Sequence, residues 1–183
     1  ASQFIDTGRS VLDINQYVKS ASTYVLRKII LFLILLLVAI LAFSIAFNQF
    51  RVRTFVNDAF TARANVILEN TETKGLSSYF DEDFIAKDPM LLEKKYALYD
   101  VSRYDYKLNI DYLSVGWVAP SRASVVISEY VTEIKGQFTG TSEEKIGMSD
   151  IPPDWNNAKY KVKLKKTDGR WYIVEMEKTK DLK

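Results

Sequence analysis

The sequence predicts an α+β protein in which an N-terminal transmembrane helix precedes about three helices packed on a four-stranded antiparallel sheet. Three observations predict this order. Residues 29–47 are apolar apart from Ser44. The stretch that follows keeps apolar residues at spacings of three and four, the period of an amphipathic helix. The C-terminal half alternates apolar and polar residues, which is the period of a strand with one buried face.

Composition limits the classes of function. The chain has 183 residues, 48% of them hydrophobic and 26% charged, which is ordinary for a folded protein, and residues 48–183 fit one domain. The net charge of +2 is too small to indicate nucleic acid as the main partner. Because the chain has no cysteine and no histidine, disulfides, thiol nucleophiles, Ser-His catalysis and zinc or haem sites built on those ligands are excluded. No cofactor is predicted.

The apolar segment 29–47 reads IILFLILLLVAILAFSIAF. At the rise of an α-helix its nineteen residues extend roughly 28 Å, about the thickness of a bilayer core, so a single transmembrane helix is predicted. A signal peptide is the alternative, but that requires a shorter apolar region closer to the N-terminus and a cleavage site. The lipid bilayer is therefore a predicted partner of this segment.

Charges flanking the segment give a weak orientation signal. Arg27 and Lys28 precede it, and Arg51 and Arg53 follow it, so the positive-inside rule nearly cancels. A short N-terminal segment commonly stays inside, while a long folded domain crosses largely regardless of its charge. We predict a cytoplasmic segment 1–28 and an extracytoplasmic domain 48–183, in a bacterial cell membrane.

The N-terminal segment carries one apolar stripe at alternating spacings of three and four, formed by Val11, Ile14, Val18, Ala21 and Val25. A helix lying on the membrane surface is the simpler interpretation. A self-associating seam is the alternative, although two heptads are short for a coiled coil. Ala42 and Ala46 form a small-xxx-small pair that would let another helix approach within the membrane.

Three helices are predicted after the membrane segment. The first has an apolar stripe and ends near Glu69; its apolar residues are Val52, Phe55, Val56, Ala59, Phe60, Val66 and Ile67. A short second helix spans residues 76–85 and includes the acidic run 81–83. Asp88 before Pro89 marks the start of a third helix, which runs to about Tyr99.

Four strands are predicted next. In the first, Tyr104, Tyr106, Leu108, Ile110 and Tyr112 alternate with polar residues and face inward. Residues 123–134 are rich in Val, Ile and Tyr and form the second strand, which pairs antiparallel with the first. The third alternates apolar residues with the basic strip Lys159, Lys161, Lys163 and Lys165, extended by Lys166. Asp168 and Gly169 supply a tight turn into the fourth strand, 170–177.

The residues Leu76-Ser77-Ser78-Tyr79-Phe80, the helix with Tyr96 and Tyr99, and the ending Asp168-Gly169-Arg170-Trp171-Tyr172-Ile173-Val174 resemble the nuclear-transport-factor-two-like superfamily. The resemblance covers about residues 51–177. It implies a cone-shaped domain whose helices pack into a curved four-stranded sheet. With the membrane segment added, the layout is similar to the bitopic inner-membrane assembly component of type IV secretion and conjugation systems.

This resemblance implies a non-enzymatic scaffold or assembly subunit that binds other membrane or envelope proteins as a homo- or hetero-oligomer. Two other classes stay open: a small-ligand-binding or enzymatic cone domain, and an envelope sensor or cell-wall accessory protein. Tyr104, Tyr106, Tyr112 and Tyr130 are the candidates for lining a cone cavity. Such an enzyme would need an inward carboxylate, since histidine is absent. Buried tyrosine rings with hydroxyls at the edge are the simpler interpretation.

Charged runs are interpreted mainly as solvated surface. The lysine strip could attract phosphates or anionic surfaces, but a solvated face that discourages edge pairing is preferred. The carboxylates at 81–83 point in different directions along a helix and are not predicted to hold a metal.

The predicted protein interface lies on the fourth strand. Trp171 and Ile173 alternate with Tyr172, Val174 and Met176, so both faces of this strand carry apolar groups. One face fills the core and the other needs a cover. We predict that Trp171, Ile173 and Trp117 contact a partner, helped by Val11, Ile14, Val18 and Val25 beside the membrane segment. The alternative cover is the loop 136–153 of the same chain.

Overall fold

The computed structural model describes residues 6–116, 121–141 and 148–182, with side chains from residue 23 onward. The chain divides into two compact units, Ala1–Phe47 and Asn48–Lys183. The long helix α1, Asp6–Leu68, contributes to both of them.

The first unit carries the apolar segment of α1. Within the described residues there is one helix long and apolar enough to cross a membrane, and its apolar window is wholly unburied. Large side chains such as Phe32, Leu37 and Phe43 are 58–72% exposed. No other part of the described chain covers this segment, so its apolar surface is left for a surrounding phase or a partner.

Three short helical elements follow α1 in the second unit. A 3-10 helix, Thr73–Ser78, is followed by α2, Glu82–Ile85, and α3, Pro89–Glu93. The Asp81 and Asp88 side chains cap α2 and α3 by accepting hydrogen bonds from the amides of Asp83 and Met90. The predicted second helix is therefore split in two. The predicted third helix is shorter than expected because Lys94 adopts a left-handed conformation with φ 44°.

Four strands form one antiparallel sheet in the order β1-β2-β3-β4. Their bounds are β1 Tyr99–Val115, β2 Arg122–Phe138, β3 Ala158–Thr167 and β4 Arg170–Asp181. The predicted α+β class and four-stranded antiparallel sheet are confirmed. Asp168 and Gly169 form the predicted turn between β3 and β4, and both have positive φ, 50° and 80°.

The hydrophobic core lies between α1 and one face of the sheet, which we call the inner face. The α1 residues in this core keep the helical spacing predicted from the sequence, with Val52, Val56, Ala59 and Phe60 all fully buried. The sheet contributes alternate residues of β2, β3 and β4: Ala123, Val125, Ile127, Ala158, Tyr160, Val162, Leu164, Trp171 and Ile173. Burial of these apolar groups stabilises the domain, at roughly 25 cal/mol for each Å² removed from water.

Register shifts change which side chains face inward, and two of them affect predicted site residues. The β1–β2 register shifts between Ile110 and Tyr112, and the β3–β4 register shifts so that Leu164 pairs with Ile173 while Lys163 pairs with Glu175. Val174 is thus the extra residue of a β-bulge. After each of these two shifts, the residues that face inward change from even to odd numbers in β1 and from odd to even numbers in β4.

Residues 148–157 pack across one end of the domain. The hydroxyl of Tyr99 donates to the Ser149 carbonyl at 3.0 Å, and Lys95 Nζ donates to the Asp154 carbonyl at 2.6 Å. The rings of Tyr96 and Trp155 stack with centroids 6.2 Å apart. Both rings are buried, so this segment closes a second, smaller core cluster.

Candidate functional site

Three charged side chains meet in the interior of the second unit. Arg63 occupies the apolar stripe of α1 between Phe60 and Ile67, so the helical period turns it toward the sheet. Glu129 follows Ile127 on the inner face of β2. Asp88 precedes α3. All three are at most 2% exposed, and we call them the ionic cluster.

Arg63 and Asp88 form a bidentate salt bridge. Arg63 Nε donates to Asp88 Oδ2 at 2.6 Å and Nη2 donates to Oδ1 at 3.0 Å. Nη1 of Arg63 lies 3.6 Å from Glu129 Oε2, and the Tyr106 hydroxyl donates to Glu129 Oε1 at 3.3 Å. Asp88 also accepts from the amide of Met90 at 3.1 Å, so it joins the cluster to α3.

Burial controls the protonation of the cluster. Burial raises the pKa of Glu129, while the positive charge of Arg63 opposes that rise. Burial works against the charge of Arg63, but Glu129 and Asp88 together raise its pKa above the ordinary value. Burial and the neighbouring Glu129 also raise the pKa of Tyr106. The cluster therefore keeps its arginine charged, while burial raises the pKa of Glu129.

The cluster has the groups of a general acid or base, but its glutamate is fully buried. A carboxyl group with a raised pKa beside a tyrosine hydroxyl could transfer a proton to a ligand within hydrogen-bond reach. Asp88 lines a surface pocket of about 230 Å³, whereas Glu129 and Arg63 line neither this pocket nor three others found among the described residues. The cluster thus pairs with itself in the interior.

Sequence reasoning did not select Arg63 and Glu129, and it treated Asp88 only as a helix cap. The signal for the first two was available. Arg63 lies on the apolar stripe of α1 that starts at Val52. Glu129 occupies the same alternate positions of β2 as Val125, Ile127 and Val131, which face inward. A charged residue at an inward position of two facing elements predicts a buried pair.

The four predicted cavity tyrosines divide between the two faces of the sheet. Tyr104 and Tyr106 lie on the inner face, where the Tyr104 hydroxyl donates to Asn65 Oδ1 at 2.7 Å. Burial and the bond to Glu69 raise the pKa of Tyr104 to about 12. Tyr112 is 61% exposed because the β1 bulge turns its side chain to the other face of the sheet. Tyr130 is adjacent to Glu129 in β2, and adjacent residues of a strand point to opposite faces, so Tyr130 lies on the face opposite Glu129. The prediction that all four line one cavity is therefore wrong.

The predicted interface residues Trp171 and Ile173 lie in the hydrophobic core. They are 8% and 0% exposed, respectively. The Ile173 amide donates to the Tyr79 carbonyl at 2.9 Å, and Ile173 forms a parallel bridge with Phe80. They are covered from within the second unit, and therefore present no exposed apolar surface to a partner. This part of the interface prediction is wrong.

The other predicted interface residues stay untested. Trp117 lies outside the described residues, as do the side chains of Val11, Ile14 and Val18. Val25 is 53% exposed on α1. Of the alternative cover, loop 136–153, residues 142–147 lie outside the described part of the chain, and Pro152 packs near Gly136.

The lysine strip lies on the opposite side of the sheet from α1, which we call the outer face. Because β3 is an interior strand, the interpretation that these lysines discourage edge pairing is wrong. Lys159 Nζ lies 2.7 Å from Asp111 Oδ2, and Lys163 Nζ lies 2.8 Å from Glu175 Oε2. The bonds from Lys159 and Ser128 lower the pKa of Asp111.

Two grooves lie side by side on this part of the surface. The basic groove, of about 600 Å³, is lined by Ser114, Gly116, Arg122, Ala123, Ser124, Lys161, Lys163, Leu164, Lys165 and Val174. The acidic groove, of about 680 Å³, is lined by Ser77, Phe80, Asp81, Glu82, Asp83, Lys87, Lys165, Thr167, Tyr172 and Val174. The first contains no carboxylate and the second contains three.

Comparisons with protein families, with curated proteins and with solved structures give no match for this chain. The sites themselves must therefore carry any functional argument.

Within the described residues, no group of three or more carboxylate, histidine or cysteine side chains is placed to hold a metal ion. The carboxylates of the acidic groove are exposed and lie at the start of α2, where the Asp81 side chain accepts from the Asp83 amide at 3.1 Å. The two features with organised charge are thus the buried ionic cluster and the paired grooves of the outer face.

Proposed function

We propose that this protein is a non-enzymatic, single-pass scaffold or assembly subunit of a bacterial envelope complex, most specifically a conjugation or type IV secretion apparatus. The observation that carries the proposal is the unburied apolar segment of α1, whose chain continues into a folded domain. In this proposal α1 anchors the chain and the domain 48–183 acts outside the cytoplasm as a docking surface for other envelope proteins.

The interior of the domain supports a binding role over a catalytic one. Arg63 is held by two hydrogen bonds to Asp88, and Glu129 is fully buried beside it. A buried ion pair of this kind is costly to break, since removing one partner leaves an uncompensated charge. Such a cluster positions α1, α3 and β2 relative to one another and leaves the surface for recognition.

The anchor is tested by substitution within the apolar segment. Leu36→Lys with Ile40→Lys places two charges at the middle of the segment, each costing about 3 kcal/mol in a membrane helix. The full chain should then be released from membranes by alkaline carbonate, whereas the wild type and an Asn48→Lys control should stay. Release of the wild type would contradict the anchor.

The orientation is tested by protease accessibility. A protease added outside intact cells or spheroplasts should digest the region after Arg53 and spare the residues before Lys28. The expected fragment is identified with tags at each terminus. Protection of the C-terminal domain in intact spheroplasts, with digestion after lysis, would reverse the proposed orientation.

The assembly role is tested by the partners themselves. Crosslinking in native membranes followed by mass spectrometry should recover envelope proteins joined to lysines of the domain. Recovery of secretion ATPases or a coupling protein in the same complexes would support the secretion apparatus. Recovery of wall-synthesis enzymes alone would favour a cell-wall accessory protein, and recovery of no protein would contradict the assembly role.

A second candidate function, a small-ligand-binding or enzymatic domain, is favoured by one observation, the inward carboxyl of Glu129 with its raised pKa. Because Glu129 is fully buried, that function requires the residues around it to move. A ligand of this site should raise the thermal stability of the full chain and lose that effect in Glu129→Gln. A screen in which no compound acts differently on the two chains would argue against it.

A further inference from the structure

The basic groove is lined by four cations and no carboxylate, although Glu177 is the cross-strand partner of Lys161. Lys163 is paired with Glu175, but Arg122, Lys161 and Lys165 form no salt bridge with a described residue. Arg122 and Lys165 are direct cross-strand neighbours in the β2–β3 register, and both are exposed. Like charges directly opposite each other destabilise a sheet. This repulsion would be relieved by negative charge from outside the chain.

The acidic groove is lined by three carboxylates and by two lysines, Lys87 and Lys165, so it carries an excess of negative charge. Asp81, Glu82 and Asp83 are exposed, and none of them forms a salt bridge with a residue in the described part of the chain. Three neighbouring carboxylates repel one another as the cations do. The domain therefore carries two adjoining grooves of opposite excess charge, positive in the basic groove and negative in the acidic groove.

The two grooves share a boundary. Val174 and Lys165 line both of them. Val174 is the bulged residue of β4, and its apolar side chain is 37% exposed at this boundary. Tyr172 adds a half-buried ring on the acidic side. An apolar centre flanked by opposite charges is thus built on one continuous surface.

We propose that this surface is a self-complementary interface for a second copy of this chain. In a two-fold symmetric contact the same patch is used by both subunits. A two-fold axis along the boundary between the grooves places the basic groove of each subunit on the acidic groove of the other. It also brings the two Val174 side chains together at the centre.

A second copy fits this surface better than a uniformly charged partner. A purely anionic partner, such as an anionic lipid surface, would be attracted by Arg122 and Lys161 but repelled by Asp81–Asp83 at the adjacent groove. A second copy satisfies both patches at once. The inference rests on the proposed assembly role, because a shared membrane raises the effective concentration of the two domains and lets a weak interface form.

Charge reversal tests the pairing. In the full chain reconstituted in membranes, Arg122→Glu with Lys161→Glu should reduce the dimer fraction at least ten-fold, and Glu82→Lys with Asp83→Lys should do the same. Asp81 is left intact because it caps α2. An equimolar mixture of the two variants should restore only mixed dimers, and the four substitutions combined in one chain should restore self-association.

The matched control is Lys107→Glu with Lys135→Glu, which makes the same charge change at exposed lysines outside both grooves. This control should dimerise like the wild type. Equal loss in the control, or no rescue in the combined variants, would overturn the interface. Dimers whose fraction follows the anionic lipid content and not the charge swap would instead indicate a lipid-binding surface.

A cysteine test locates the axis. Because the chain has no cysteine, Val174→Cys introduces the one thiol in the sequence. Oxidation in membranes should give a disulfide-linked dimer, since a disulfide requires Cα atoms within about 7 Å of each other. Thr132→Cys, exposed on β2, is the control and should stay monomeric.

The outcomes separate this inference from the proposed function. A wild-type chain that leaves the membrane in carbonate overturns the anchor and the inference together. A chain that stays in the membrane and crosslinks to other envelope proteins, but gives no Val174→Cys dimer, overturns the inference alone.

Discussion

Arg63 of α1 and Asp88 before α3 are joined by two parallel hydrogen bonds of 2.6 and 3.0 Å, and both side chains are buried. The pairing fixes the end of the segment 69–88 against the helix, twenty-five residues earlier in the chain. Glu129 approaches the same guanidinium from β2 at 3.6 Å. The cluster is therefore a junction between the helical layer and the sheet.

We predict that breaking this junction from one side destabilises the domain strongly. Asp88→Ala leaves Arg63 buried and short of a partner, which costs about 3–5 kcal/mol. Arg63→Met with Asp88→Asn removes both charges and keeps the oxygen that caps α3, and Glu129 can take up a proton, so this variant should cost less. The tryptophans at 117, 155 and 171 all lie in the domain, so their fluorescence in a urea titration of the full chain reports its unfolding. Equal losses in the single and double variants would contradict this account.

The raised pKa of Glu129 predicts a specific dependence of stability on pH. Because the folded state holds this proton more tightly than the unfolded state, Glu129 adds stability that is complete below its ordinary pKa of 4.5 and is lost as pH rises through the folded value. The slope is at most about 1.4 kcal/mol per pH unit for one proton.

Glu129→Gln removes this titration and keeps an acceptor for Tyr106. As pH rises above 4.5, the unfolding free energy of the wild type should fall relative to that of Glu129→Gln. Urea titrations of both chains across that range provide the measurement. A difference that stays constant with pH would mean that Glu129 has no raised pKa.

The sequence predicts the sheet well because its signal is a simple alternation. Tyr104 to Ile110 alternate as predicted, and the Asp168-Gly169 turn follows from residues that tolerate positive φ. The alternation fails at Tyr112 and after Val174 for one physical reason. A β-bulge inserts a residue without changing the pattern of residue types, and it reverses the side of the residues that follow it up to the next shift.

The candidate sites were harder to predict than the fold. The ionic cluster joins residues 63, 88 and 129, and only the tertiary pairing of α1 with β2 shows that two inward charges meet. The grooves depend on Asp81–Asp83 lying beside Lys165, a contact between α2 and the sheet that no local period encodes. Trp171 and Ile173 were assigned to the outside because the cover supplied by Phe80 is equally non-local.

The burial of Ile173 predicts opposite outcomes for two adjacent residues. Ile173→Ala removes methylene groups from the closed core and should cost about 2–5 kcal/mol of unfolding free energy. Val174→Ala, on the exposed bulge, should cost less than about 1 kcal/mol. Thermal unfolding of the two variants, followed by tryptophan fluorescence, distinguishes them. A similar loss at both positions would place Val174 in the core as well.

A close backbone approach explains the glycine at position 136. A Cβ atom there would lie 2.5 Å from the Asp100 carbonyl oxygen and 3.0 Å from both Val101 Cα and Pro152 Cγ. Two of these three atoms belong to the β1 backbone, which is held in the ladder and cannot move cheaply. Gly136→Ala should therefore destabilise the domain by about 1–3 kcal/mol.

Gly75 supplies the matched control, because a Cβ at that position meets no heavy atom within 4 Å and its φ lies outside the left-handed region. Gly75→Ala should be neutral or slightly stabilising, since alanine restricts the unfolded chain more than glycine does. Both variants are compared by urea titration of the full chain. A neutral Gly136→Ala would mean that β1 and the segment around Pro152 separate without cost, and that this end of the sheet is held only by the contacts of Tyr96, Tyr99 and Lys95 with residues 149–155.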